Sequence, residues 1–144
     1  MTQFQTRNPA YAQDVRESFA RQGFMAHLGA RLTAVSPGKV TIELPVSASL
    51  SQQHGFVHAG ATTAVVDSAC GYATLTLMPP HSEVLTIEFK VNFLAPAQGV
   101  KLIATGRVLK PGRTVNVCQG EVFGINETGE QKRCAIMTAT ILCR

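Results

Sequence analysis

Along much of the chain apolar and polar positions alternate with a period of two, and in two places the spacing turns helical. The first is near the start. Asn8-Pro9 precedes Ala10, Tyr11, Val15 and Phe19, an i, i+4, i+8 stripe that runs out at Gly23, which predicts a short capped helix covering the sheet that follows. Ala30 to Ser36 and Lys39 to Val46 read as two strands around Pro37-Gly38, the second alternating Val40, Ile42, Leu44 and Val46. A polar loop, Ser47 to Val57, leads to the second helical stretch, Ala59 to Leu77, closed by Met78-Pro79-Pro80. As a single strand it would far exceed the usual length of about 5–6 residues. Its Thr62, Thr63, Val65, Val66 and Thr74 are weak helix formers, so burial must support it.

Four strand-like runs follow: Glu83 to Leu94, Val100 to Leu109, Thr114 to Ile125 and Gln131 to Leu142, separated by Pro96, by Pro111-Gly112 and by Asn126-Glu127-Thr128-Gly129. The order predicts an α+β domain over residues 1–144, with the four strands in a meander and one antiparallel sheet wrapped around the central helix.

Composition narrows the function. Hydrophobic residues make up 45% of the chain and charged residues 15%, a globular balance whose low charge hints at surface buried between subunits. The net charge of +4 is scattered and does not form a stripe, which argues against nucleic acid while leaving room for a small phosphate-bearing molecule. No run reaches the roughly 18 apolar residues of a membrane span, and the polar start is unlike a secretory signal, so a cytoplasmic address is the default expectation. Cys70, Cys118, Cys134 and Cys143 form no C-x-x-C pair and have no histidine at metal-ligand spacing; free, buried thiols and no metal are expected.

One residue breaks the pattern. From Leu44 to Ser82, 39 consecutive residues, Asp67 is the sole formal charge apart from histidines, and it falls midway along the apolar helix. A carboxylate held in such surroundings is paired, hydrogen-bonded or shifted in pKa, and these environments recur both at functional sites and in structural caps. At the start of the same helix, His54-Gly55-Phe56-Val57-His58-Ala59-Gly60 gathers small residues and two imidazoles where free backbone N–H groups and the positive end of the helix dipole would lie. That end can hold an oxyanion, and Gly55, Gly60 and His58 can equally be turn and capping residues.

Together, Gln52-Gln53-His54-Gly55-Phe56-Val57-His58-Ala59-Gly60 and Asp67-Ser68-Ala69 resemble the hotdog-fold acyl-CoA thioesterases of the phenylacetate-degradation (PaaI-like) type. The likeness runs from about Phe24 to the C-terminus. It includes Pro37-Gly38-Lys39-Val40, the strand Leu85 to Phe93 with Pro96 after it, and the turn Lys110-Pro111-Gly112-Arg113-Thr114. The resemblance implies a hotdog subunit, a sheet of five or six antiparallel strands around the helix that carries Asp67. It further implies a homodimer pairing into a homotetramer, with each active site shared across a dimer interface. In that site Gln52, His58 and the Ala59 and Gly60 amides of one chain face Asp67 and Thr86 of the other. Asp67 would serve as general base or as nucleophile, the Ala59 and Gly60 amides and Gln52 as the oxyanion hole, and Thr86 as the group that positions water. Gly55 and Val57 would touch substrate, and Lys90, Lys110, Gly112 and Arg113 would meet coenzyme A. No cofactor is implied, coenzyme A being part of the substrate.

The chain departs from the commonest form of this pattern at Gln52, where Asn is frequent, and at Ala59, which replaces the first Gly of His-Gly-Gly. His54 is an extra imidazole expected to be structural or at the substrate's edge. Two other functions fit a hotdog subunit: a hydratase or dehydratase drafting His58, and a non-catalytic acyl-CoA sensor.

Overall fold

The structure is a computed structural model and describes residues 3–144. After helices α1 (Tyr11–Ala20) and α2 (Gly23–Leu28), the hairpin β1 (Arg31–Ser36) and β2 (Lys39–Pro45) leads through a loop to α3 (Ala59–Leu75). Strands β3 (Val84–Phe93), β4 (Lys101–Lys110), β5 (Val115–Ile125) and β6 (Gln131–Cys143) complete the chain. The expected elements recur within two residues at their ends, except at the N-terminus. There Gly23 opens a second helix, and it is Gly29, at φ +79°, that ends it in the left-handed conformation.

All neighbours are antiparallel, and the strand order is β1-β2-β4-β5-β6-β3. The expected meander therefore holds only for β4, β5 and β6. β3 leaves α3, crosses to the far edge and pairs with β6, while β4 returns beside β2. Alternation fixes which face of a strand is buried and carries no information about its neighbour. β3 is thus an edge strand of 10 residues.

The sheet wraps α3. Val40, Ile42 and Leu44 of β2, Leu102 and Ala104 of β4, and Val122 and Ile141 farther along are fully buried against a helix that is itself apolar around most of its circumference. Two glycines let it lie close. Gly106 and Gly120 are cross-strand partners on β4 and β5; a Cβ on Gly106 would stand 2.4 Å from the backbone of α3 at Ala69 and Cys70, and one on Gly120 would stand 2.4 Å from Val66. This glycine saddle sets the height of α3 over the sheet and so the position of Asp67, which lies between the two contacts, one residue from Val66 and two from Ala69.

Candidate active site

Asp67, Ser68, Gly71, Tyr72 and Leu75 recur at helical spacing and form one face of α3. With Thr86 of β3 and Tyr11 and Ser18 of α1 they wall an open cleft of about 930 Å³. The Thr86 hydroxyl donates to Asp67 Oδ1 at 2.7 Å. Partial burial pushes the Asp67 carboxyl above its ordinary value, and the Thr86 hydrogen bond offsets part of that rise. α1 is held over the cleft by Tyr72, whose hydroxyl accepts from Gln22 Nε2 at 2.9 Å and lies 3.1 Å from Ser18 Oγ.

The start of α3 opens on a second cleft, of about 510 Å³, walled by Phe56, Val57, Phe93 and Leu94 and bordered by Gln52, His58, Ala59 and Thr62. His58 is the N-cap. Its Nδ1 accepts the Gly60 N–H at 2.8 Å, and its carbonyl accepts those of Ala61 and Thr62 at 3.0 and 3.2 Å. An imidazole accepting at Nδ1 carries its proton on Nε2, so the ring presents a donor outward. Among the described residues the Ala59 N–H has no protein acceptor. The expectation of two free amides is corrected to one, because the His58 side chain reaches back and takes Gly60's. Gln52 Oε1 accepts from the amides of His54 and Phe56, which fixes the side chain and leaves its Nε2 hydrogens unspent.

The structure therefore gathers the sequence-predicted residues into two sets, Asp67 with Thr86 and Gln52 with Val57, His58 and Ala59. Asp67 stands eight positions after Ala59 on the helix, roughly 12 Å along the axis. Gly55 is a turn residue at φ +85° whose amide donates to the Gln52 carbonyl. Lys90 is exposed on β3, Lys110 ends β4, and Gly112 and Arg113 lie in the β4–β5 turn; none of the four lines either cleft. The Gly112 amide is spent on Asn116 Oδ1 at 2.8 Å, and a Cβ on Gly112 would meet the Val115 carbonyl, so this glycine serves the turn.

Sequence reasoning missed two contributors. The N-terminal helix is a wall of the Asp67 cleft as well as a cover, a role that the helical spacing of Asp67, Gly71 and Leu75 marks only once a facing element is known. Thr62 was counted as a weak helix former, and its place beside the second cleft follows from its standing one turn on from Ala59.

An antiparallel sheet in this strand order, wrapped on a helix whose tip and middle each open on a cleft, defines the class as the hotdog fold. The chain belongs to the thioesterase superfamily, whose description matches residues 54–130, more than half of it. A thioesterase family protein from Silicibacter pomeroyi is 50% identical and superposes with a TM-score of 0.90 over 92% of this chain and 97% of that one. The E. coli PaaI protein from the phenylacetic acid degradation operon shares the fold at 20% identity, with a TM-score of 0.81 over 92% of this chain and 91% of its own. The 1,4-dihydroxy-2-naphthoyl-CoA hydrolase of Listeria monocytogenes is 24% identical over 66% of this chain and 77% of its own length. The family is one of hydrolases acting on thioesters, and this chain is a hydrolase of that class. No helix among the described residues is long and apolar enough to cross a membrane.

Proposed function

We propose that the protein hydrolyses acyl-coenzyme A thioesters, aryl or medium-chain, to the free acid and coenzyme A, with Asp67 as general base. The observation that carries this reading is the Thr86–Asp67 pair facing an open cleft. One carboxylate oxygen is tied down by Thr86, and the other is left to take a proton from water while the Thr86 oxygen helps to hold that water. A carboxyl raised by burial is a better base than an ordinary aspartate.

The carbonyl end of the reaction needs a donor where charge develops, and the Ala59 N–H at the positive end of α3 meets that need, with Gln52 bordering the same cleft as a second candidate donor. Roughly 12 Å is too far for both ends to serve one carbonyl within one chain. A second copy resolves this. β3 has one edge without a strand, and five of the nine exposed large hydrophobics among the described residues, Leu85, Ile87, Phe89, Phe93 and Leu94, lie on it or just past it. Such an edge favours pairing with another chain. Two-fold pairing there would bring the Asp67 cleft of one chain to the helix tip of the other, giving two sites per dimer.

The thiolate of coenzyme A leaves as the tetrahedral intermediate collapses. Lys90, Lys110 and Arg113 supply positive charge for the nucleotide phosphates. The test is release of free thiol from a panel of aryl and medium-chain acyl-CoAs. Turnover by the wild type that disappears in Asp67→Asn, with fold and dimer intact, supports the reading; binding without thiol release refutes it.

A further inference from the structure

The second cleft is walled by apolar side chains, and one of the residues that border it carries a buried polar atom that the fold leaves unused. Thr62 is 0% exposed, and its Oγ1 is the one buried side-chain oxygen or nitrogen without a hydrogen-bond partner among the described residues. A hydroxyl so placed is destabilising relative to a paired one, and Val would fill the same volume without that cost. The other buried threonine of α3, Thr74, pairs with Cys118 Sγ at 3.0 Å, and buried Thr76 just past the helix donates to the Ala73 carbonyl at 2.6 Å, so among the buried threonines of the described residues Thr62 is the unpaired one.

Position gives the orphan a use. Thr62 stands three residues after Ala59 on the same helix face, its side chain leaning toward the helix start, and it borders the cleft together with Phe56, Val57, Phe93 and Leu94. The thioester carbonyl is already served by the Ala59 N–H and Gln52 Nε2, so the Thr62 hydroxyl is left for another part of the substrate. The two clefts also differ in kind. That of Asp67 is edged by Asp14, Glu17, Arg21 and Arg144, whereas the one at the helix tip is predominantly apolar and suits an acyl group.

We propose that Thr62 is a specificity-determining residue: the acyl group enters the apolar cleft at the helix tip, and the buried Thr62 hydroxyl selects acyl groups that carry a hydrogen-bonding oxygen or nitrogen over hydrocarbon groups of the same size. This rests on the thioester-hydrolase reading and adds the chemical class of the acyl part. A pocket with one unpaired polar group discriminates strongly, because a plain hydrocarbon leaves that group unpaired in the complex while a polar substituent satisfies it.

The experiment uses pairs of acyl-CoAs, straight-chain and aromatic, that differ only by a hydroxyl or a methyl at the same carbon, with the exchange placed at successive carbons. Thiol release is followed for the wild type, Thr62→Val and Thr62→Ser. At one or two carbons the wild type should favour the hydroxyl member by about tenfold or more in kcat/KM. Thr62→Val should bring that ratio close to one or below it while keeping turnover of the methyl member, and Thr62→Ser should retain the preference. A Thr62→Val protein that melts no lower than the wild type excludes misfolding as the cause. A ratio that is the same in wild type and Thr62→Val, or a wild type without the preference at any carbon, overturns the proposal. Should the wild type release no thiol from any member, the hydrolase reading falls by itself, and calorimetric binding of the same pairs then decides on Thr62: a wild-type preference that vanishes in Thr62→Val upholds it, and equal affinities overturn it.

Discussion

The Thr86 hydroxyl on edge strand β3 donates to Asp67 Oδ1 on α3 at 2.7 Å, joining the last strand of the sheet to the middle of the helix that the sheet encloses. The bond orients the carboxylate and counters part of the rise in its pKa caused by burial. Both effects can be read in the pH dependence of the reaction.

If the ionised Asp67 is the base, kcat/KM should rise with pH through a pKa above the ordinary aspartate value and then level off. Thr86→Val removes the interaction that favours the charged form, so the rising limb should move to still higher pH. Activity measured from pH 3 to 8 on one acyl-CoA checks this. A limb that stays in place in Thr86→Val would separate the bond from the titration.

The same shift makes a prediction for stability. Asp67 has a folded-state pKa above its unfolded value, so at pH values above the folded pKa the native state holds a charge it would rather not have, and stability falls as pH rises through that interval. Asp67→Asn escapes the penalty. It should raise the melting temperature near neutral pH, with a gain that shrinks as the pH drops below the ordinary aspartate value, and should lower kcat by about 10²–10⁴. Thermal melts at pH 3 and pH 7 set beside thiol-release rates test both halves.

The glycine saddle makes a packing prediction. Gly106→Val places new atoms against the backbone of α3 at Ala69 and Cys70, which cannot yield as a side chain would, and overpacking of this kind costs about 1–3 kcal/mol. Because the helix must lift where Asp67 is carried, catalysis should suffer more than the loss of folded protein explains. Chemical denaturation together with kcat for the folded fraction would show it; a destabilised variant with unchanged kcat would contradict it.

The apolar edge strand predicts an association state. Ile87→Lys with Phe89→Glu puts charge on the exposed part of β3 without touching the core, since the two side chains are 56% and 44% exposed. The variant should remain folded, sediment as a smaller species and lose activity together with its assembly. Sedimentation velocity and thiol release on the same sample give the answer.

Most of this architecture could be read from the residues. Val40, Ile42 and Leu44 alternate because only one face of β2 meets the helix, and Asp67 stood out because the helix around it is uncharged. What stayed hidden depends on partners distant along the chain. β3 reads like any strand until β6 is found beside it, and Gly23 reads like a stop because glycine is common after helices, whereas here Gly29 takes that role. The Gly60 amide was expected to be free because the reach of the His58 imidazole depends on its rotamer, which the residue type does not settle. Thr62 was invisible for the same reason: an unpaired hydroxyl is a property of its surroundings.

The sharing of one reaction between two chains is tested most directly by mixing two inactive variants. Ala59→Pro removes the free N–H at the first position of α3, where proline is well tolerated, and Asp67→Asn removes the base. Each homodimer should be nearly inactive. After unfolding and refolding together in equal amounts, half of the dimers carry one intact site of two, so about a quarter of wild-type activity should return. No recovery in the mixture, with mixed dimers present by mass, would contradict a site built from the helix tip of one chain and the carboxylate of the other.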